Sequence, residues 1–384
     1  MTDLAAHSTL DAESLAWPFP ERHRRELTLI RAAEGSSRSS VSDELRIRKS
    51  TVSGDVSALI EAGLIREGDS RTTTPGRPRV PLEIDPDRRH VVGLSIDPGR
   101  VAYGRVNLLG EPVSELAMEP AADAEGLIAA AVRGVERYVD DATLAIGLVV
   151  PGFIDAEAGD VLFSSAFPEA GRVSLAPIRA VARGRPVVMD SRTNSLGTRW
   201  LLQRPDAADD DSLLISLCDG QFGATLMIEG RPMRGCVLGA NELGHMRLCI
   251  DTPRCYCGQI GCVERVLSTP YLQGLDPGAG TLADALATGE PAEPVERITA
   301  LSAMALANAV NFSRVGRVTL MSDMTGVEPF LDHLAERVTE LLLRELRGRV
   351  SFECAVNDPP HVAVAAAAPA LAELFLSARR VASA

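Results

Sequence analysis

The sequence predicts an α/β protein in two parts. A small N-terminal winged helix-turn-helix comes first, and a large body of two similar α/β lobes follows. Three observations carry this reading. Residues 21–62 hold three short helical patterns, and two brief β-prone runs follow them, which is the order of a winged helix. From His90 onward, apolar strand-like runs alternate with helical stretches, and the arrangement recurs in the second half. Within the second half, the stretch Glu242–Glu264 gathers His245, Cys255, Cys257 and Cys262 at metal-ligand spacing.

Residues 1–16 read as a loose tail, 17–85 as the head and 86–384 as the body. In the head, Glu21 to Glu34 forms a helix with Leu27, Ile30 and Ala33 on one face, ended by Gly35. Ser39 and Ser40 are placed to cap a second helix running to Leu45. The third helix runs from Lys49 to Ala62. Val52, Val56, Leu59 and Ile60 make its buried stripe, while Lys49, Ser50, Thr51 and Ser53 face out. Leu64–Glu67 and Val80–Ile84 supply the two wing strands.

A helix presented this way places its N-terminal residues against base edges in the major groove of double-stranded DNA. The hydroxyls of Ser50, Thr51 and Ser53 suit base edges or phosphates, and Arg46, Arg48 and Lys49 suit phosphates. The stiff loop Thr74-Pro75-Gly76-Arg77-Pro78-Arg79 displays Arg77 and Arg79, which suits a narrow minor groove. A protein-interaction module for the helices and an ordinary linker for the loop are the blander readings.

In the body, His90–Asp97 and Val101–Asn107 open a strand meander, and Ala122–Val139 is helical. Leu144–Val150 and Val187–Met189 are buried strands, and Ser191–Leu202 is a helix. Leu213–Leu217 and Ala224–Ile228 begin the second strand set. Val295–Phe312, Leu331–Leu346 and His361–Ser377 are helical, and Leu275–Glu293 is ambiguous. His333 and His361 carry no expected site role.

Composition narrows the class. The 384 residues are enough for two or three domains, and the net charge is −13. Residues 20–80 carry twelve basic against nine acidic side chains, whereas residues 91–384 carry 25 against 37. An acidic body with a mildly basic front end fits a DNA-binding head on a ligand-binding domain. No apolar run reaches the roughly 18 residues of a membrane span, and the first residues lack the pattern of a secretory signal. Seven cysteines, three of them in a metal pattern, fit a reducing cytoplasm. Cys218, Cys236, Cys249 and Cys354 are expected to pack.

The metal expected in the His245–Cys255–Cys257–Cys262 set is Zn²⁺. Gly258 and Gly261 let the chain bend tightly between Cys257 and Cys262. Glu242 and Glu264 flank the cluster, and a metal clip draws their carboxylates together. Their alternative role is to hold the metal ligands in place.

The head segment SSVSDELRIRKSTVSGDVSALIEAGLIREG and the TPGRPRVPLEID that follows resemble the head and linker of ROK-family transcriptional repressors. The strand IGLVVPGFID and the signature GANELGH…CYCGQIGCVE resemble the ROK sugar-kinase body, an actin-like ATPase fold, and this likeness runs from His90 to about Phe375. The resemblance implies a sugar site lined by Asp190, Glu242, His245 and Glu264. Asp190 matches the base of the kinases, and as a strand-to-helix residue it also suits a helix cap. It further implies a homodimer or dimer of dimers on a DNA operator, with a sugar or sugar-derived effector.

The phosphate loops depart from the kinases. Where these carry Asp-Gly-Gly-Thr, this chain has Asp97-Pro98-Gly99-Arg100, and proline offers no amide donor. Asp219 replaces a neutral residue in the second phosphate loop, and Met321-Ser322-Asp323-Met324 replaces the adenosine turn. Kinase activity is therefore not expected. On the sugar side, Met189 and Arg192 replace asparagines, and Arg192 is expected to narrow the pocket or pair with an anionic ligand. The remaining alternatives are a regulator with a non-functional pocket and an ATP-dependent sugar kinase.

Overall fold

The computed structural model describes residues 20–33, 35–69, 80–155, 158–204, 211–233, 241–248, 251–288, 292–356 and 362–375. The tail, Arg77, Arg79, Cys236, Cys249 and His361 lie outside the described residues.

The head holds α1 (Glu21–Ala32), α2 (Arg38–Leu45) and α3 (Lys49–Glu61), followed by the antiparallel pair β1 (Ile65–Glu67) and β2 (Leu82–Ile84). This is the winged helix-turn-helix order. The cap of α2 is Ser37, not Ser39 or Ser40. The Ser37 side chain accepts from the Ser40 amide, and Ser40 answers by accepting from the Ser37 amide. Val52, Val56 and Leu59 are fully buried, whereas Ile60 is only half-buried.

The first lobe comprises β3 (His90–Asp97), β4 (Arg100–Asn107), β5 (Ala117–Pro120), α4 (Ala124–Tyr138), β6 (Thr143–Val150), β7 (Phe153–Asp155), β8 (Asp160–Phe163), β9 (Val173–Ser174), α5 (Ala176–Ala180) and β10 (Val187–Ser191). Its main sheet has the order β10-β6-β3-β4-β5, and β7-β8-β9 form a small flap. The second lobe follows α6 (Arg192–Gln203) and comprises β11 (Ser212–Cys218), β12 (Gln221–Ile228), β13 (Arg231–Pro232), α7 (Thr269–Leu275), α8 (Leu282–Ala287), α9 (Glu293–Ser313), β14 (Arg317–Ser322), α10 (Glu328–Leu341) and β15 (Ser351–Val356). Its sheet order is β13-β12-β11-β14-β15, so each lobe joins an antiparallel meander to parallel strands. The central strands β3, β6 and β11 are buried on both faces because helices cover them.

Helix α10 stops at Leu341, short of the Leu346 expected. Leu342 turns extended, and the Asn311 side chain accepts from the Leu343 amide in place of a helical carbonyl. Within the ambiguous stretch, Leu282–Ala287 forms α8. Among the described residues no helix is long and apolar enough to cross a membrane.

The last helix, α11 (Val362–Phe375), returns to the first lobe and explains its alanine content. It lies so close to β3 and β6 that a methyl group at Gly93 would overlap the carbonyl of Ala363, and one at Gly147 that of Ala366. Its end also receives the head. Thr28 on α1 donates to the carbonyl of Phe375, and Arg31 donates to the carbonyls of Leu108 at 2.5 Å and Leu202 at 3.1 Å. The Arg31 guanidinium sits 4.6 Å over the Phe375 ring, and burial pulls its pKa down to about 10. One apolar cluster runs from Leu27, Val52 and Val56 of the head into Leu371, Leu374 and Phe375. Head and body thus share a core.

Candidate metal centre and ligand pocket

Two short turns build the site. One, Leu243–His245, follows Glu242, and the other, Val263–Arg265, follows Cys262. A bridge between Arg247 and Cys262 holds their arms together. The intervening loop folds tightly: the Gly258 amide donates to Cys255 and the Cys255 amide to Gln259, each at 2.9 Å. Gly258 and Gly261 take φ of +87° and +91°, which a side chain would resist.

The four expected metal ligands converge. Cys255 Sγ lies 3.6 Å from His245 Nδ1, Cys257 Sγ lies 3.6 Å from Cys262 Sγ, and all four ligand atoms fall within 4.8 Å of one another. Tetrahedral Zn–S bonds of about 2.3 Å require sulfurs roughly 3.7 Å apart, so the set fits a tetrahedral dication. Burial lowers the His245 pKa, favouring the neutral ligand form, and pushes the Cys262 thiol up to about 11. Without a cation the Cys255 and Cys262 thiols, raised by burial, keep their protons.

His245 turns its other nitrogen toward the pocket. Nε2 lies 3.5 Å from Glu264 Oε2, 3.7 Å from Glu242 Oε2 and 3.4 Å from Tyr256 Oη. Burial raises both carboxyl groups, Glu242 to about 7 and Glu264 to about 8. Three of the four expected sugar-site residues therefore share one wall of a cavity of about 60 Å³, facing Ser191, Arg192 and Thr193. Asp190, the penultimate residue of β10, does not line the cavity and lies next to Ser191, which does. Its carboxylate accepts from the Ser191 amide at 2.8 Å and from Asn194 Nδ2 at 2.9 Å. The helix-cap role falls to Ser191, which accepts from the Asn194 amide.

Sequence reasoning missed two contributors. Tyr256 reaches into the pocket and donates to Glu264, and Asn241 Nδ2 donates to Asn194 Oδ1 at 3.2 Å, tying the pocket rim to the Asp190 network. Tyr256 stands inside the metal motif, but nothing in its spacing says which way the ring points.

The loops that depart from the kinase pattern carry ion pairs and hydrogen bonds within the chain. Arg192 Nη1 donates to Asp97 Oδ1 at 3.0 Å and Nη2 to Asp323 Oδ2 at 3.1 Å. Arg192 thus both lines the cavity and pairs with two acidic side chains, one at the end of β3 and one just beyond β14. Asp219 accepts from the Thr269 amide at 2.8 Å and its hydroxyl at 2.6 Å. In the head, Arg46, Arg48, Lys49, Ser50 and Ser53 are exposed and Thr51 is half-buried, all at or near the start of α3.

Two α/β lobes, a His-Cys₃ loop on the pocket wall and an N-terminal winged helix define an actin-like body that carries a helix-turn-helix head. The chain belongs to the ROK family, whose model matches residues 113–372. It is 28% identical over 246 residues to the xylose repressor of Caldicellulosiruptor bescii, a match spanning 60% of each chain. It is 22% identical over 248 residues to the transcriptional dual regulator NagC of Escherichia coli, covering 62% of this chain and 60% of that one. The match thus spans less than two thirds of these relatives' length. A crystal structure of a ROK family transcriptional regulator, a homolog of the E. coli MLC protein, superposes with a TM-score of 0.74 at 19% identity, covering 92% of this chain and 98% of that one. A ROK glucokinase from Streptomyces griseus gives 0.59 at 21% identity, covering 73% of this chain and 98% of that one. These two likenesses concern the fold.

Proposed function

We propose that this chain is a DNA-binding transcriptional regulator, a repressor controlled by a sugar or sugar-derived effector, and that it does not phosphorylate its ligand. The observation that carries this reading is the shared core of head and body. Around the start of α3, Arg46, Arg48, Lys49, Ser50 and Ser53 point to solvent with Thr51 half-buried beside them, while the opposite face of α3 packs into the cluster that contains α11. A ligand acting on the lobes can thereby bias the head. The repressors among its relatives support the same reading.

In this proposal the head spans 17–85, with Arg77 and Arg79 reaching the minor groove, and the body spans 86–384. Glu242, His245 and Glu264 receive ligand hydroxyls, with Asp190 across the pocket, since carboxylates accept from vicinal hydroxyls. Zn²⁺ is the metal for the His245–Cys255–Cys257–Cys262 set, because three thiolates and an imidazole suit it best. Its bound chemistry is structural: the four ligands leave no open position. The protein acts as a homodimer or dimer of dimers, presenting two heads to a palindromic operator. The Arg192 ion pairs with Asp97 and Asp323 support the absence of kinase activity, because the loops that would hold nucleotide phosphate bind side chains of the chain itself.

The test combines selection from a random DNA library with footprinting. The expected footprint is two half-sites about 34 Å apart, lost on replacing Arg48 and Lys49 with alanine and weakened by the effector. A protein that selects no DNA sequence and transfers phosphate from ATP to a sugar would overturn the proposal.

A further inference from the structure

Tyr256 lies between two metal ligands, Cys255 and Cys257, and its ring enters the pocket. Its hydroxyl donates to the Glu264 carboxylate, 3.0 Å from Oε1 and 3.2 Å from Oε2, and stands 3.4 Å from His245 Nε2. Its ring meets the His245 ring edge-on at 5.3 Å and the Phe163 ring at 5.9 Å. Phe163 belongs to the flap of the first lobe and stacks on Phe153 at 4.7 Å. The tyrosine therefore touches the carboxylate wall and the opposing flap at once.

The space that remains is about 60 Å³. Ordinary small-molecule sites run to about 300–1,000 Å³, and a water's share of liquid volume is about 30 Å³. The cavity is thus several times smaller than an ordinary ligand site, and Tyr256 is one of the residues that line it.

We infer that Tyr256 is a built-in occupant of the effector pocket, its hydroxyl standing where a ligand hydroxyl stands, and that it sets the affinity and selectivity of the site for polyhydroxylated ligands. This rests on the reading of the pocket as an effector site. The phenol makes a single hydrogen-bonding contact with the Glu264 carboxyl group, whose two oxygens offer more hydrogen-bonding sites than that. A ligand with two vicinal hydroxyls engages both oxygens, so it replaces the phenol with a better-satisfied carboxyl group. A ligand with a single hydroxyl gains nothing over the tyrosine and is rejected. Cysteines on either side pin the backbone, so the ring leaves by rotating about its own side-chain bonds. On leaving Glu264 it also leaves Phe163, which loosens the flap from the metal loop.

The test uses the full-length, metal-replete protein and its Tyr256→Ala and Tyr256→Phe variants, with metal content measured on each. Calorimetric titration with D-glucose, D-xylose and N-acetyl-D-glucosamine reads the affinity. At least one sugar is expected to bind Tyr256→Ala tenfold or more tighter than the parent. Tyr256→Phe is expected to fall between them, since its ring still fills space but no longer holds Glu264. If Tyr256→Ala loses its metal, Tyr256→Phe decides alone: tighter binding than the parent supports the inference. Equal affinity in parent and variants would overturn the inference and leave the effector reading standing. Weaker binding in both variants would also overturn it, making Tyr256 a ligand contact and not a competitor. Binding of none of the three sugars by any of the proteins would overturn the inference together with the sugar reading beneath it.

Discussion

Arg192 donates to Asp97 at 3.0 Å from the start of α6, and the Asp97 side chain is 2% exposed. The same guanidinium continues to Asp323 beyond β14, so one side chain ties the ends of the two lobes' central sheets. Ser95 Oγ completes the Asp97 shell at 2.9 Å. The Arg192 pKa is pushed up: burial works against its charge, and the surrounding acidic groups outweigh that.

Removing this cation leaves a buried carboxylate without its partner, a change that typically costs about 3–5 kcal/mol. Arg192→Ala is expected to unfold at markedly lower denaturant than the parent. Asp323→Asn removes the more exposed partner and should cost less. A double-mutant cycle between the two is expected to show coupling of about 1 kcal/mol or more, and additive losses would separate the two side chains.

The close seat of α11 predicts a second effect. Gly93→Ala and Gly147→Ala each place a methyl against an α11 carbonyl, and overpacking of this kind costs about 1–3 kcal/mol. Because α11 carries the contacts of Thr28 and Arg31, the displaced helix should also disturb the head. Chemical denaturation checks the first effect. DNA affinity and its response to effector check the second, and both should change in the same variants.

The sequence made most of this architecture legible because its signals are local. Helix stripes such as Val52–Val56–Leu59, strand runs such as Leu144–Val150 and the spacing of His245 with three cysteines act within a few residues or one loop. What it hid depends on contacts far apart in the chain. Arg192 carries no mark of its pairing with Asp97 and Asp323, which lie 95 and 131 residues away. The helical pattern of α11 carried no sign that the head would dock on its end. Tyr256 is concealed differently, since its neighbours are the expected ligands and its own direction is set by the fold of their loop. Asp55, on the third helix, gave no sign that it would be buried: its partners Arg22 and His23 come from another helix.

The metal centre predicts a stoichiometric loss. Cys257→Ser breaks the ligand set without adding bulk, so bound zinc measured by mass spectrometry should fall from about one per chain to well below it. The body has a large core of its own, so the chain should stay folded but less stable. A loss of about 2 kcal/mol corresponds to a fall in Tm of roughly 4–8 °C. An unchanged metal content and melting temperature would contradict the assignment of Cys257.

The head carries its own pH dependence at Glu26. This side chain is fully buried on α1, no hydrogen-bond donor among the described residues reaches its carboxyl oxygens, and Asp55, Arg22 and His23 surround it. Burial, reinforced by the Asp55 charge, raises its pKa to about 8. The folded chain therefore holds this proton where the unfolded chain has released it. Stability from this group is complete below the ordinary carboxyl pKa and is lost as pH rises from there through about 8. Asp55 acts in the opposite sense: Arg22 and His23 overcome burial and hold its pKa low, so its contribution is lost only as pH falls below the ordinary range. Between pH 5 and 8 the Glu26 effect should dominate the head, and each tenfold difference in proton affinity between the folded and unfolded chain is worth about 1.4 kcal/mol. Glu26→Gln keeps the shape and removes the ionisation. Thermal melts across this range should show a shallower decline for the variant than for the parent, with the difference largest at pH 8, whereas parallel profiles would show that Glu26 does not titrate with folding.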